Sequence, residues 1–338
     1  MPPAHHAPRG YRNPWPDAEP RGFRDIIRWS WERRLHSVPR DPPPGSFPTA
    51  EPLFSTRENS GALSATWVGH ATTLLQIGGA NVLTDPMWSE RASPIFFAGP
   101  RRHVPAGIDF DALPPIDLAL ISHDHYDHLD RATVRALARR RPDIVWLAPL
   151  GLARALRRWG AGNTCELDWW QDTTLDTSGG ELTVACVPAQ HFSGRGLTDR
   201  GRTLWCSWVV RAGGIRVFFA GDTAYHPEFR AIRERHGPFD LLMLPIGAYE
   251  PRWFMRAVHM NPPDALHAYT DLTDSTAEAP ILLPIHWGTF RLTDESMLEP
   301  PEWTARLWRE AALDPTKLWL LRHGETRTTH LPQRAPAT

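Results

Sequence analysis

The sequence predicts an α/β domain carrying an extended amino-terminal arm, and three observations predict it. From Leu63 onward, short apolar runs with β-branched residues are separated by glycine turns, which is strand patterning. Past Thr84 these runs alternate with stretches bounded by helix caps and helix breakers, as strand–helix units do. Before Leu63 the chain is punctuated by proline and fits neither pattern. Proline makes up 34 of 338 residues, about twice the usual ~5%, and it is densest in residues 1–52. No internal repeat is evident. The expected organisation is an arm over residues 1–60, one α/β domain over 61–330 and a flexible tail over 331–338.

Within the arm, Phe23, Ile26, Ile27 and Trp31 fall at i, i+3, i+4 and i+8, one face of a helix over Phe23–Arg34. Arginines surround that face and Trp29 lies beside it. Two readings are open: the face packs on the core, or it lies on a membrane surface. Leu63–Val68, Thr72–Ile77 and Asn81–Thr84 read as consecutive strands, with Gly78-Gly79 turning the second pair into a hairpin. Asp117–Ile121 is a buried-strand pattern. Asp130 can cap a helix over Ala132–Arg140, ending before Pro142, and Leu152–Trp159 is a second helix closed by Gly160. Leu182–Val187, Ile215–Ala220 and Ile281–Ile285 are further strands. Pro227 opens a helix that Gly237 closes, a favoured placement of both residues. Pro263–Asp271 and Pro301–Leu313 complete the helices.

Composition removes several function classes. The formal charge is 37 − 38 = −1, so no basic field supports nucleic-acid affinity, and none is expected. Three cysteines with no CxxC exclude a disulfide framework and a thiolate zinc knuckle. No apolar run approaches the roughly 18–20 residues that span a bilayer, and the MPPAHHAPRG start lacks the apolar core of a signal peptide. The expectation is a cytoplasmic protein, peripheral on the membrane if the arm helix binds one. Sixteen tryptophans suggest a wide aromatic surface or a deep apolar pocket. Of the 37 basic residues only Lys317 is lysine. A base-composition bias or a preference for bidentate phosphate contact would each produce that skew.

The densest chemical signal is Ser122-His123-Asp124-His125-Tyr126-Asp127-His128, a His-x-His-x-Asp-His motif fed directly by the Asp117–Ile121 strand. Imidazole suits zinc and iron, and a carboxylate can complete or bridge such sites. Three more candidate ligands follow strands in the same way: His191 after Leu182–Val187, Asp222 after Ile215–Ala220, and His286 after Ile281–Ile285. Strand carboxyl ends are where α/β architectures place their sites. One histidine there is usually a satisfied core residue. Four strand ends offering seven donors together point to a metal centre.

The pattern His-x-His-x-Asp-His, then His, Asp and His resembles the metallo-β-lactamase superfamily, which implies a four-layer αββα sandwich with a binuclear metal site. By that resemblance His123, His125 and His191 hold one metal, Asp127, His128 and His286 hold the other, and Asp222 bridges both. Aspartate rather than cysteine at position 222 is similar to the branches that hydrolyse phosphodiesters and thioesters. Asp85, in Leu83-Thr84-Asp85-Pro86, matches an aspartate that supports the ligand histidines. Further segments resemble the N-acyl-phosphatidylethanolamine-hydrolysing phospholipase D family. They are Asn13-Pro14-Trp15-Pro16, Thr66 to Thr72 (TWVGHAT), Arg91 to Pro94 (RASP), Leu113 to Asp117 (LPPID), Glu166 to Trp170 (ELDWW), Pro245 to Met255 (PIGAYEPRWFM), His286 to Phe290 (HWGTF) and His323-Gly324-Glu325, spanning about residue 11 to 327.

That resemblance implies two Zn²⁺, with iron or manganese as alternatives, and a phospholipid or other phosphodiester substrate. It implies hydroxide attack on phosphorus to give phosphatidic acid and N-acylethanolamine, with Asp127, His128 and Asp222 central to catalysis. Tyr126 and His259 match positions lining the substrate site. Peripheral membrane association is expected, and a homodimer is compatible with it. Cys165, Cys186 and Cys206 are read as buried or incidental thiols. Two enzymatic alternatives keep the metal site and change the substrate to another phosphodiester, such as a cyclic nucleotide, or to a lactone. A membrane-associated binding protein on a hydrolase scaffold is the non-enzymatic alternative, and the complete ligand set argues against it.

Overall fold

A computed structural model describes residues 3–58, 61–177, 180–196 and 198–330; the expected tail over 331–338 lies outside the described residues. After a short hairpin, β1 (His6–Ala7) and β2 (Gly10–Tyr11), the arm forms α1 (Phe23–Leu35). The first sheet then opens with β3 (Ala62–Gly69), β4 (Thr72–Ile77), β5 (Ala80–Thr84) and β6 (Leu118–Leu120). It continues through α2 (Arg131–Arg140), β7 (Val145–Pro149), α3 (Ala153–Arg158) and β8 (Thr164–Leu167). The second sheet holds β9 (Asp172–Thr177), β10 (Gly180–Val187), β11 (Ser207–Ala212) and β12 (Ile215–Phe219). Next come α4 (Phe229–His236), β13 (Leu241–Pro245), α5 (Arg252–Met255), α6 (Pro262–Leu272) and β14 (Ile281–Ile285). Finally α7 (Glu299–Glu310) leads to β15 (Thr326–His330), which returns to the first sheet.

The first sheet runs β15-β3-β4-β5-β6-β7-β8 and the second β14-β13-β12-β11-β10-β9. In each, antiparallel hairpins give way to parallel strands, β5 to β8 in one sheet and β12 to β14 in the other; helices join β6 to β8 and β12 to β14, while a long loop with one 3-10 turn, Phe110–Ala112, joins β5 to β6. Parallel neighbours need such crossovers, so helices collect on the outer faces. Side-chain alternation shows the layering. On β12, Val217 and Phe219 enter the core between the sheets, while Phe218 joins Phe229, Ile232 and Leu272 under the outer helices. On β4, Leu75 faces inward and Leu74 packs with Val134 and Leu137 of α2. A period of two thus builds three apolar interfaces and the four-layer αββα sandwich that the motif implied.

Most elements match their sequence signals. Asp130 caps α2 by accepting from the Ala132 amide. The arm helix differs from one expectation. Its predicted apolar face does not pack on the core: Ile26, Ile27 and Trp31 are 43%, 55% and 62% exposed. Trp29 and the polar face seat the helix instead. The Trp29 indole donates to Asp294 at 2.5 Å and packs 5.0 Å from the Phe254 ring, and the Trp253 indole donates to Glu32 at 3.0 Å. Directed N–H to carboxylate bonds, not area burial, decide how α1 docks.

Candidate metal centre

Six strands of the two sheets end on one edge, and the functional side chains follow those ends. His70 comes after β3, Asp85 after β5 and the His123–His128 run after β6; His191 follows β10, Asp222 follows β12 and His286 follows β14. The two sheets approach closely here. Gly221 has φ +59°, and a Cβ on it would lie 2.5 Å from the Ser122 Cβ, so only glycine lets these two ends meet.

Asp85 is fully buried and organises the first sheet's candidate donors. Its carboxylate accepts from the Ser122 amide at 2.7 Å, the Ser122 hydroxyl at 2.6 Å and His128 Nδ1 at 2.7 Å. The Ser122 oxygen in turn lies 2.8 Å from His123 Nδ1. One carboxylate therefore fixes two imidazoles with their Nε2 atoms turned inward, an arrangement that orients metal-binding histidines. His191 is fixed differently, its Nδ1 lying 2.9 Å from the Val258 carbonyl. The arm contributes as well: Asn13 donates to the His191 carbonyl at 2.9 Å and to Ala18 at 2.7 Å.

Two groups of donors result. His123, His125, His191 and Asp222 form one; Asp127, His128 and His286, joined by His70, form the other, with the donor atoms of each group within 4.8 Å of one another. In the first, His125 Nδ1 lies 2.9 Å from His123 Nε2 and 3.1 Å from His191 Nε2. Ligands of a tetrahedral ion stand about 3.3 Å apart, so the spacing suits one. Asp222 Oδ2 is the hub. It lies 3.1 Å from His128 Nε2 and from His286 Nε2, 3.7 Å from His191 Nε2 and 3.9 Å from His123 Nε2. It thus touches both groups.

His70 carries no signal in the motif, yet its Nε2 sits 2.9 Å from Asp127 Oδ2, the same oxygen that His128 Nε2 and His286 Nε2 approach at 3.5 and 3.6 Å. His70, Asp85 and His286 hold φ values of +56°, +34° and +63°. Non-glycine residues rarely adopt this conformation, and such strain concentrates at functional sites. Buried polar atoms are also left over: His128 Nε2, Asp222 Oδ1 and both nitrogens of His286 have no hydrogen-bond partner among the described residues. Unpaired buried donors and acceptors are costly. A cation held by this set would remove that cost, and the donors are of the right type for one.

Electrostatics separates the two groups. Burial pushes His123 well below 6.5, and pushes His125 to about 3 and His191 to about 4. Burial also pulls on His286, but Asp222 and Asp127 outweigh it and hold this imidazole at about 9; the same carboxylates raise His128. Burial pushes Asp127 and Asp222 up, and the neighbouring imidazoles more than reverse it, so both stay ionised. His259, expected at the substrate site, reaches the centre itself, with Nδ1 4.0 Å from Asp222 Oδ2. Tyr126, expected there too, lies instead in the lining of a neighbouring cleft with Trp159 and Arg195, which none of the expected metal donors lines. Its hydroxyl is used in donating to the Arg195 carbonyl at 2.9 Å, and the Arg195 guanidinium stacks 3.9 Å from the ring centroid.

A family model described as a β-lactamase superfamily domain matches residues 80–287, from β5 to just past the last expected ligand. The chain belongs to that superfamily. It has the metallo-β-lactamase fold, which implies divalent metal binding, and it is a metal-dependent hydrolase. An uncharacterized protein of Mycobacterium tuberculosis is 47% identical over 281 residues, 82% of this chain and 71% of that protein. The N-acyl-phosphatidylethanolamine-hydrolyzing phospholipase D 1 of Caenorhabditis elegans is 43% identical over 245 residues, 70% of this chain and 67% of that enzyme. Among solved structures, Igni18, a metallo hydrolase of Ignicoccus hospitalis, superposes with a TM-score of 0.59 at 22% identity, covering 80% of this chain and all of that one.

Proposed function

We propose that this protein is a binuclear zinc phosphodiesterase of phospholipase D type. It would hydrolyse N-acyl-phosphatidylethanolamine to phosphatidic acid and N-acylethanolamine. The observation that carries this reading is the position of Asp222 Oδ2 between two complete donor groups; kinship with the phospholipase D enzymes supplies the substrate class. His123, His125 and His191 would hold one ion, Asp127, His128 and His286 the other, and Asp222 both. Two such ions supply a water-derived nucleophile at neutral pH and polarise the phosphoryl oxygens. The chain's own residues do the rest. Asp85 and Ser122 keep His128 and His123 in the tautomer that offers Nε2. His70 would steady the Asp127 carboxylate through its 2.9 Å contact with Oδ2. His259, kept neutral by burial, would face the substrate as a proton acceptor beside Asp222.

The exposed stripe of Ile27, Trp31 and Leu35 on α1, at i, i+4 and i+8, supports peripheral association with a membrane. No helix among the described residues is long and apolar enough to cross one. The deciding experiment analyses products by mass spectrometry on N-acyl-phosphatidylethanolamine, a cyclic nucleotide and a lactone, with metal content measured on the same sample. Phosphatidic acid release by protein carrying close to two zinc ions is expected. Turnover of the lactone alone, or full activity without metal, would overturn the reading.

A further inference from the structure

The loop between Ala92 and Pro100 presents three large apolar side chains to solvent. Phe96 is 88% exposed, Phe97 68% and Ile95 45%. The loop's base is pinned: the Ala92 amide donates to the Pro100 carbonyl at 3.0 Å, Arg91 and Arg101 form an antiparallel bridge, and the Arg91 guanidinium donates to the Gly99 carbonyl at 2.7 Å. Phe96 and Phe97 meet edge to face, 5.2 Å apart. This is a held wedge rather than a loose strand of chain.

The wedge borders a cleft of about 900 Å³ that Tyr126, the residue between His125 and Asp127 of the motif, also lines. Along another wall run Arg131, Arg135 and Arg139, at i, i+4 and i+8 on α2, all three exposed. None of them makes an ion pair among the described residues. The cleft's acids are already engaged: Asp130 caps α2 and accepts from the Ser89 amide and the Thr133 hydroxyl, and Glu90 pairs with Arg101. In a chain of net charge −1, three unpaired arginines in a row beside an exposed apolar wedge form a local asymmetry that overall composition does not show.

We propose that this surface docks on an anionic lipid bilayer, with Ile95, Phe96 and Phe97 entering the acyl boundary and Arg131, Arg135 and Arg139 contacting headgroup phosphates. The proposal rests on the lipid-hydrolase reading and adds the surface by which the enzyme meets its substrate's membrane. Charge complementarity selects the occupant: unpaired guanidiniums match phosphate bidentately, and apolar side chains flanked by arginine are the composition of an interfacial anchor. A protruding tip also suits insertion better than it suits the stacking of bases, which takes place on flat aromatic platforms.

The full-length, metal-loaded protein is sedimented with phosphatidylcholine vesicles and with vesicles of phosphatidylcholine mixed with phosphatidylglycerol. Arg131→Gln with Arg135→Gln and Arg139→Gln should lower partitioning to the mixed vesicles roughly a hundredfold, from about a fivefold contribution per arginine, and leave the phosphatidylcholine vesicles unaffected. Phe96→Ser with Phe97→Ser should lower it about tenfold or more on both. All these residues are exposed, so melting temperature and turnover of a small soluble diester should stay at the parent's values. Variants that sediment like the parent on mixed vesicles would overturn the docking surface, as would a parent protein that ignores vesicles. A parent that binds vesicles yet cleaves no diester would instead sink the lipid-hydrolase reading, and the two failures remain distinct.

Discussion

Replacing Asp85 by asparagine tests how the centre is oriented, because the substitution keeps the shape and removes one acceptor. Asparagine can still accept from the Ser122 amide through its oxygen. Its amide group would then face the Ser122 hydroxyl and His128 Nδ1, both of which donate to the carboxylate in the parent protein. His128 can relieve that clash by moving its proton from Nδ1 to Nε2, the atom 3.1 Å from Asp222 Oδ2. A proton there blocks a ligand position. Loss of such an orienting partner lowers metal affinity about 10- to 100-fold, or roughly 1.4–2.8 kcal/mol. The metal-free protein should suffer less, since removing a fully buried carboxylate also removes its desolvation cost. The assay is a zinc titration against a competing chelator, with circular dichroism on the same samples. Ser122→Ala serves as the companion: it cuts only the relay to His123 and should cost less than Asp85→Asn. A folded Asp85→Asn protein with the parent's metal affinity would refute the orienting role.

Asp222→Ala should lose more metal by elemental analysis than His191→Ala, because its carboxylate lies against both donor groups; equal losses would assign it to one group only. His286→Ala should reduce turnover by several orders of magnitude while circular dichroism still shows a folded protein, though one that melts lower without metal because Asp222 and Asp127 lose a buried cationic partner; a variant with parental turnover would remove His286 from the site. Asn13→Ala leaves the buried His191 carbonyl without its donor, so it should destabilise by about 2 kcal/mol, read as a lowered midpoint of urea unfolding. The arm should also loosen on acidification. His5 and His6 meet the two Asp168 oxygens at 2.7 and 2.8 Å. Burial holds the docked His5 below its ordinary 6.5, so its share of arm docking is complete above that pH and is lost as pH falls towards the docked value. Burial pushes Asp168 up, but bonds from His5, the Trp169 amide and His6 hold it below 3.8, so its share is lost only at still lower pH. Proteolytic cleavage of the arm should therefore quicken below about pH 6, and an unchanged rate from neutral pH downward would count against the clasp.

Much of this architecture was legible because its signals are local. An apolar run followed at once by a histidine or aspartate can be read without knowing the fold, and β6, β10, β12 and β14 all carry one. β9 and β15 carry none. Asp172–Thr177 and Thr326–His330 are almost wholly polar edge strands, and they form because a neighbouring strand offers a free ladder rather than through their own propensity. The pairing of His70 is hidden for a related reason. His70 follows β3 as the other ligands follow their strands, but its partner Asp127 is 57 residues away, and only the closed sheet edge brings them together. Its position, directly after an apolar strand, is the same local signal that the other donors carry. The His5–His6–Asp168 clasp joins residues more than 160 positions apart, with no pattern at either end. For α1 the periodicity was correct and its usual meaning was not, since an apolar face marks a helix without saying what covers that face.

Both donor groups draw on both sheets, and this makes the centre depend on the whole sandwich. His123, His125, Asp127 and His128 rise from the end of β6, whereas His191, Asp222 and His286 descend from β10, β12 and β14 in the other sheet. Neither sheet alone holds more than part of a set. The distance between the two halves is governed by the core between them, where Trp208 of β11 spans the gap and donates its indole proton to the Ile121 carbonyl at 3.0 Å, one residue before Ser122. The contact of Gly221 with Ser122 fixes the same separation from the other side. A densely packed interior resists change in volume, so this spacing is held by the bulk of the protein. Ligand positions set by packed strands, with only short turns beyond them, can sustain the left-handed backbone of His70, Asp85 and His286, which loops of ordinary mobility would relax. The strain at these three residues and the depth of the apolar core are therefore two aspects of one design, in which the sandwich supplies the rigidity that a metal centre requires.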